Sequence, residues 1–195
     1  MAFWSDFTDN GLEPKRKFTF MLSIGGESIE GGLPTSIEHY LIKKVKKPGF
    51  EVTKTEHQFL NHTFYFPSRV KWKEVTFSVV DAISPNTTNR FLKILNESGY
   101  RLPKQVVDIG SKSQTMSKVN SAQALGIPRI HQINHEGNIV ETWRLHGSWV
   151  SNCEFGELDY SAEDLMSIDV TLTYDFAECE FAIDEFNTGN LPASN

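Results

Sequence analysis

Ser167-Ile168-Asp169-Val170-Thr171-Leu172-Thr173-Tyr174-Asp175-Phe176 alternates polar and apolar residues without a break. Successive side chains of a strand point to opposite faces, so the run predicts a half-buried β-strand. Ile168, Val170, Leu172, Tyr174 and Phe176 are expected to face a core. Ser167, Asp169, Thr171, Thr173 and Asp175 are expected on the other face, which then carries two carboxylates and no cation.

Outward from this strand the same period recurs. Phe18, Phe20, Leu22 and Ile24 alternate with Thr19, Met21 and Ser23 ahead of Gly25-Gly26, and Val75, Phe77 and Val79 alternate with Thr76 and Ser78. Residues 37–46 read as a further strand closed by Pro48-Gly49, and Ile130 to Leu145 as a hairpin turning at Glu136-Gly137-Asn138. Phe50, Phe59, Phe64, Tyr65, Phe66 and Trp72 are assigned to core positions of strands, with a polar loop between His57 and His62. One helix is predicted, with Ser84 as N-cap, Pro85 in its first turn, an apolar stripe of Phe91, Ile94 and Leu95, and Gly99 just beyond its end. A short turn is expected at Ser161-Ala162-Glu163-Asp164, which has capping-box spacing. Residues 103–129 lack a sustained period and read as a long loop, with room for one strand near Lys104–Ile109. The expected fold is mainly β: an antiparallel sandwich or barrel with one flanking helix. It forms a single domain over 1–195, with an N-terminal arm at 1–15 and a C-terminal tail at 180–195.

Charge is distributed unevenly. Residues 1–144 hold all 19 Lys and Arg beside 14 acids, whereas residues 145–195 hold 11 acids and no Lys or Arg. Lys43, Lys44, Lys46, Lys47, Lys54, Arg69, Lys71 and Lys73 form a basic stretch offset only by Glu51 and Glu56. Such a chain can meet copies of itself, basic patch to acidic patch. No window is long and apolar enough for a membrane-spanning helix, so no membrane anchor is expected, and Met1-Ala2-Phe3-Trp4-Ser5-Asp6 does not open a signal peptide. Cys153 and Cys179 are too few for a disulfide framework and are expected as free thiols.

Signals for chemistry are weak. His131 and His135 lie in a strand context where a four-residue spacing does not bring ligands together, so no metal is expected. Gly25-Gly26 and Gly31-Gly32 match no phosphate loop, no serine sits in a nucleophile elbow, and no cofactor is implied. Glu154, Glu157 and Asp159 could pair as glycosidase carboxylates, but an exposed acidic loop explains them more simply. The basic and aromatic 43–73 stretch resembles a single-strand nucleic-acid binder, against which stands a net charge of −6. A nucleic-acid-binding β-barrel and a lectin-like sandwich are the two alternatives from other classes.

Gly147-Ser148-Trp149-Val150-Ser151-Asn152, Phe155-Gly156-Glu157-Leu158-Asp159-Tyr160-Ser161 and Ile168 through Phe176 resemble the C-terminal part of tail tube proteins of contractile-tailed (myovirus) bacteriophages. Gly49-Phe50, the strand Lys71 through Val79 and the helix around Phe91-Leu92 follow that family's order, so the resemblance spans roughly 16–178. It implies hexameric rings made by continuing sheets between subunits, stacked into a hollow conduit that passes the genome. The expected partners are further copies of the chain, a tail sheath protein, a tape-measure protein inside the tube, baseplate and tail-terminator proteins, and DNA only in transit. The expected location is the virion tail, assembled in the host bacterial cytoplasm; a baseplate-proximal tube initiator or a tail terminator of the same fold is the close alternative. Trp149, Phe155, Gly156, Leu158, Tyr160 and Tyr174 then carry the structural motif. Asp169, Asp175, Thr171 and Thr173 are candidates for the lumen, and Lys44, Lys46, Lys47, Phe50, Glu157 and Asp159 for contacts between subunits or rings. No residue is assigned to catalysis.

Overall fold

The computed structural model describes residues 14–25, 41–101, 115–161 and 163–181. In chain order the elements are β1 (Phe20–Ser23), β2 (Ile42–Val45), β3 (Gly49–Phe59), β4 (His62–Lys73), β5 (Val75–Val80), α1 (Thr87–Glu97), α2 (Lys118–Leu125), β6 (Arg129–Ile133), β7 (Ile139–His146), β8 (Trp149–Glu154), β9 (Ser167–Thr173) and β10 (Phe176–Phe181). The strands make two antiparallel four-stranded sheets, ordered β1-β6-β7-β10 and β2-β5-β9-β8, and a separate two-stranded ribbon, β3-β4.

Alternation builds the core as the sequence requires. In the second sheet Val75, Phe77 and Val79 of β5 lie opposite Leu172, Val170 and Ile168 of β9, and all are at most 2% exposed. Leu22, Ile130 and Leu145 from the first sheet join the same cluster, with Phe91 and Ile94 of α1 and Leu125 of α2. Burying each large aliphatic side chain contributes about 1.5–3 kcal/mol, so this shared core dominates stability. The β6–β7 hairpin turns where predicted: the Asn134 carboxamide oxygen accepts the Glu136 and Asn138 amides (3.0 and 2.8 Å), and Gly137 takes φ 89°.

Four expectations are corrected. The strand that opens the sequence reading ends at Thr173; the chain turns at Tyr174-Asp175, and Phe176 begins β10 in the other sheet. Phe176 is therefore 51% exposed, its ring stacked on His146 at 4.7 Å. Alternation continues through the change of sheet, so the pattern alone cannot register it. β10 also takes residues 180–181 from the predicted tail. Second, the helix near 84–99 is capped by Asn86, whose side chain accepts the Asn89 amide at 2.7 Å, rather than by Ser84; Gly99 follows it at φ 107° as expected.

Third, α2 lies inside the stretch read as a loop. It has eight residues, no apolar stripe, and buries only Ser121, Ala124 and Leu125, with Ser117 accepting the Asn120 amide as its N-cap. Lys104–Ile109 and residues 37–40 fall outside the described residues. At Ser161 the structure has a turn in which its amide and hydroxyl donate to Asp159 (2.9 and 2.8 Å), while Ala162 is outside the described residues.

Fourth, most of the aromatics assigned to core strands are on the exposed ribbon. His57 and His62 belong to its strands, and the turn between them is Leu60-Asn61.

Candidate self-assembly surfaces

Among the described residues the second sheet has two open edges, and they differ in charge. Its β2 edge carries Lys43 and Lys44 and runs on into Lys46 and Lys47. Its β8 edge ends at Glu154 and runs into a loop bearing Glu157, Asp159, Glu163 and Asp164. Glu157 and Asp159 are exposed there, and the Ser161 amide and hydroxyl hold the Asp159 carboxyl below its usual range. An edge strand offers unpaired amides and carbonyls, so opposite charges on two edges of one sheet favour edge-to-edge pairing between copies.

The candidate contact lysines are not equivalent. Lys44 lies opposite Ser78 and is exposed, and the Lys46 amide donates to the Thr76 carbonyl at 2.8 Å. Lys47 is already engaged: its ammonium sits 2.9 Å from the buried Glu141 carboxylate, which also binds Lys15 and the Trp143 indole N–H. Burial alone would raise the Glu141 pKa, but the hydrogen bonds from Lys15, Lys47 and Trp143 outweigh it and hold the carboxyl at about 2. Four further basic groups are paired. Lys54 meets Glu56, Lys73 meets Glu51, Lys118 meets Asp175 and Arg144 meets Glu180.

The polar face of the second sheet holds three of the four candidate lumen residues. Asp169 lies between Ser78 and Glu154, accepting the Ser78 hydroxyl; Thr171 lies between Thr76 and Asn152; and the Thr173 hydroxyl donates to Glu74 at 3.1 Å. Asp175 is not on that face. It sits in the β9–β10 turn, bound by the Lys118 ammonium at 2.6 and 2.7 Å and lying against Gly147.

Of the motif residues, Tyr174 is buried and Trp149 half-buried, while Phe155, Leu158 and Tyr160 are exposed. Gly156 takes φ 83°, and a Cβ there would stand 2.8 Å from the Ser167 carbonyl oxygen, so the position requires glycine. Phe155 borders a cleft of about 250 Å³ between α1 and β8, with Leu92, Leu95, Met116 and Cys153. Burial pushes the Cys153 thiol up to about 11. Both cysteines are free, as the sequence predicts.

The sequence reading missed the ribbon. β3 and β4 pair from Gly49–Lys73 to Phe59–His62, and Phe50, Phe59, Leu60, Phe64, Tyr65 and Phe66 are all exposed on it. Its root is held by rings: Phe50 meets Trp72 edge-on at 5.8 Å, and Trp72 leans on Tyr174 at 6.1 Å. The available signal was the matched length of the runs on either side of Leu60-Asn61, which lack the glycine that marks a two-residue turn.

Solved structures share this overall fold. The chain matches one from the anti-feeding prophage baseplate at TM-score 0.62, with 12% identity over 87% of this chain and 97% of the other. It matches one from the prophage's tube-terminating cap at 0.59, with 12% identity over 93% and 100%. The fold is that of contractile tail tubes. A third tail-tube-like match, from the sheath-tube complex of the extracellular contractile injection system PVC, has TM-score 0.58 and 12% identity over 93% and 99%. No protein-family model matches the chain, nor does any curated protein sequence. These tail-tube-like neighbours are tube, cap and baseplate components by their descriptions. Among the described residues no group of three or more His, Cys, Asp or Glu could hold a metal ion.

Proposed function

We propose that this chain is the tube subunit of a contractile tail, closing into hexameric rings that stack into a conduit for the phage genome. The observation that carries the reading is the opposite charge of the two open edges of the β2-β5-β9-β8 sheet. A head-to-tail contact between unlike edges is heterologous, and such contacts close into rings when the rotation allows. Closure through this sheet turns its Asp169–Thr171–Thr173 face toward the ring axis, where short hydroxyls and carboxylates repel a passing polyanion. The sheath, a tape-measure protein and the baseplate are the partners such a tube requires, and the virion tail is its location. A cap or a tube initiator is the second reading, favoured by the cap and baseplate origin of two of the neighbours.

Negative-stain microscopy of the purified protein tests both. Long tubes support the main subunit and single rings the cap or initiator, whereas monomers under all conditions would sink both. Assembly should weaken with salt, because exposed charges are screened beyond about 8–10 Å at physiological ionic strength. Lys44→Glu with Lys46→Glu should leave a folded monomer, and adding Glu154→Lys with Glu157→Lys should restore rings. Lys47 is excluded from this test because Glu141 needs it.

A further inference from the structure

The cleft between α1 and β8 is open and apolar. Leu92 and Leu95 stand on its helix side, Phe155 just beyond the end of β8, and Met116 shortly ahead of α2. All four are 37–48% exposed. The polar groups of its wall are satisfied within the chain. The Ser98 hydroxyl donates to the Ile94 carbonyl at 2.7 Å, the Ser151 hydroxyl to the Thr171 carbonyl at 3.1 Å, and the Asn152 amide to Glu154 at 2.9 Å. At about 250 Å³ the space lies below the roughly 300–1,000 Å³ that drug-sized ligands fill, and it suits one or two side chains of a peptide. Val150, Ser151, Asn152 and Cys153 are consecutive and all line it, so both faces of β8 contribute and the cleft opens along the strand's free edge. Whatever fills it covers that edge.

We infer that the segment 1–13 of this chain fills the cleft of its own subunit, seating Phe3 and Trp4 there. These residues lie outside the described ones, and the position of their neighbour Lys15 sets their reach. The Lys15 ammonium lies 5.8 Å from the centre of the Phe181 ring, at the far end of β10. From there β10 runs about 17 Å to Phe176. Next to Phe176 the Asp175 carboxylate binds Lys118, which follows Met116 of the cleft by two residues. Phe3 and Trp4 stand 11 and 10 residues ahead of Pro14, an extended reach of about 33–40 Å, which covers that span.

Charge and chemistry favour this segment over the one that follows β10. The mouth of the cleft is acidic, with Glu154 on the edge and Glu157 and Asp159 in the loop beyond it. Met1 to Ser5 bring no carboxylate there, whereas Ile183 and Phe186 flank Asp184-Glu185, which those acids repel. The Met116 thioether and the Phe155 ring also suit aromatic partners. The inference rests on the self-assembly reading in one respect: β8 is the edge that ring closure uses, so the seated segment holds the free subunit back and ring closure displaces it. A segment seated about nine-tenths of the time leaves about one subunit in ten competent to join, so its removal should strengthen ring formation about tenfold.

The test follows the full chain, dilute and at high salt so that subunits are single, with circular dichroism reporting the fold. Reaction of Cys153 with dithiodipyridine, located by peptide mass spectrometry, should be about tenfold faster in a chain lacking residues 1–13. Phe3→Asp with Trp4→Asp should have the same effect with the fold unchanged. On mild oxidation Ser5→Cys should join Cys153 within one chain, and Glu185→Cys should not. Cys153 reacting at one rate with and without the segment, a Ser5→Cys link that joins two chains, or equal linkage from Glu185→Cys would each overturn the inference. Those outcomes indicate in turn an open cleft, a second copy and the residues after β10. Ring formation that is no stronger without residues 1–13 overturns the covering of the edge. Shielded Cys153 in a chain that never forms rings removes the self-assembly reading and leaves the seated segment standing, and rings from a chain with unshielded Cys153 do the reverse.

Discussion

A carboxylate inside a sheet core is tolerated only when its charge is met, and Glu141 is met by Lys15, Lys47 and the Trp143 indole. Its pKa lies below the ordinary value of 4.5, at about 2, so the unfolded chain takes up this proton first as pH falls. The stability it contributes is present above about pH 4.5 and is lost as pH drops toward 2. Glu141→Gln should lower stability at neutral pH by about 2 kcal/mol, discounted from the buried-pair range because both lysines are half exposed. Urea midpoints at neutral pH, pH 4 and pH 2.5 check this, and the gap between wild type and variant should narrow toward zero in acid. None of it was legible in the sequence. Lys47 there is one of several lysines, and its partner lies 94 residues away on another sheet.

Elements are held to one another at equally few points. Gly147, at φ 63°, opens the β7–β8 turn where the Asp175 carboxylate lies against it, and Lys118 at the start of α2 binds that carboxylate. Gly147→Ala strains the backbone and drives a methyl group into Asp175, so a loss of about 2 kcal/mol is expected in thermal unfolding. Adding Asp175→Ala should recover part of it, a non-additivity that a double-mutant cycle measures. Strands β5 and β9 were readable because alternation is local and both bury one face. The change of sheet at Tyr174-Asp175 was not, since it depends on where β7 ends. α2 was hidden because eight residues with three buried make no periodic stripe. The ribbon was hidden because Leu60 adopts φ 52°, a left-handed conformation that sequence rules reserve for glycine and asparagine.

For the whole molecule the proposed ring closure sets which surface faces inward once copies join. Thr171→Cys tests it. In assembled tubes this thiol should react with a small maleimide and be shielded from a polymer-linked one wider than the bore, whereas burial at an interface would block both reagents. The ring contacts at the ribbon's root carry a different consequence, a mechanical one. Tyr174 closes β9, and its hydroxyl grips the Lys73 carbonyl at 2.7 Å while its ring supports Trp72. The ribbon is therefore a lever whose fulcrum is the end of a central strand, laced by hydrogen bonds to β5 on one side and β8 on the other. A load at the tip then reaches β9 through this grip as well as passing along the chain to β5 and to the edge strand β2. Compliance is left to the cantilever itself, between the Thr53–Arg69 bulge and the Leu60 tip. A column built of such units would bend at its joints while each layer keeps its shape.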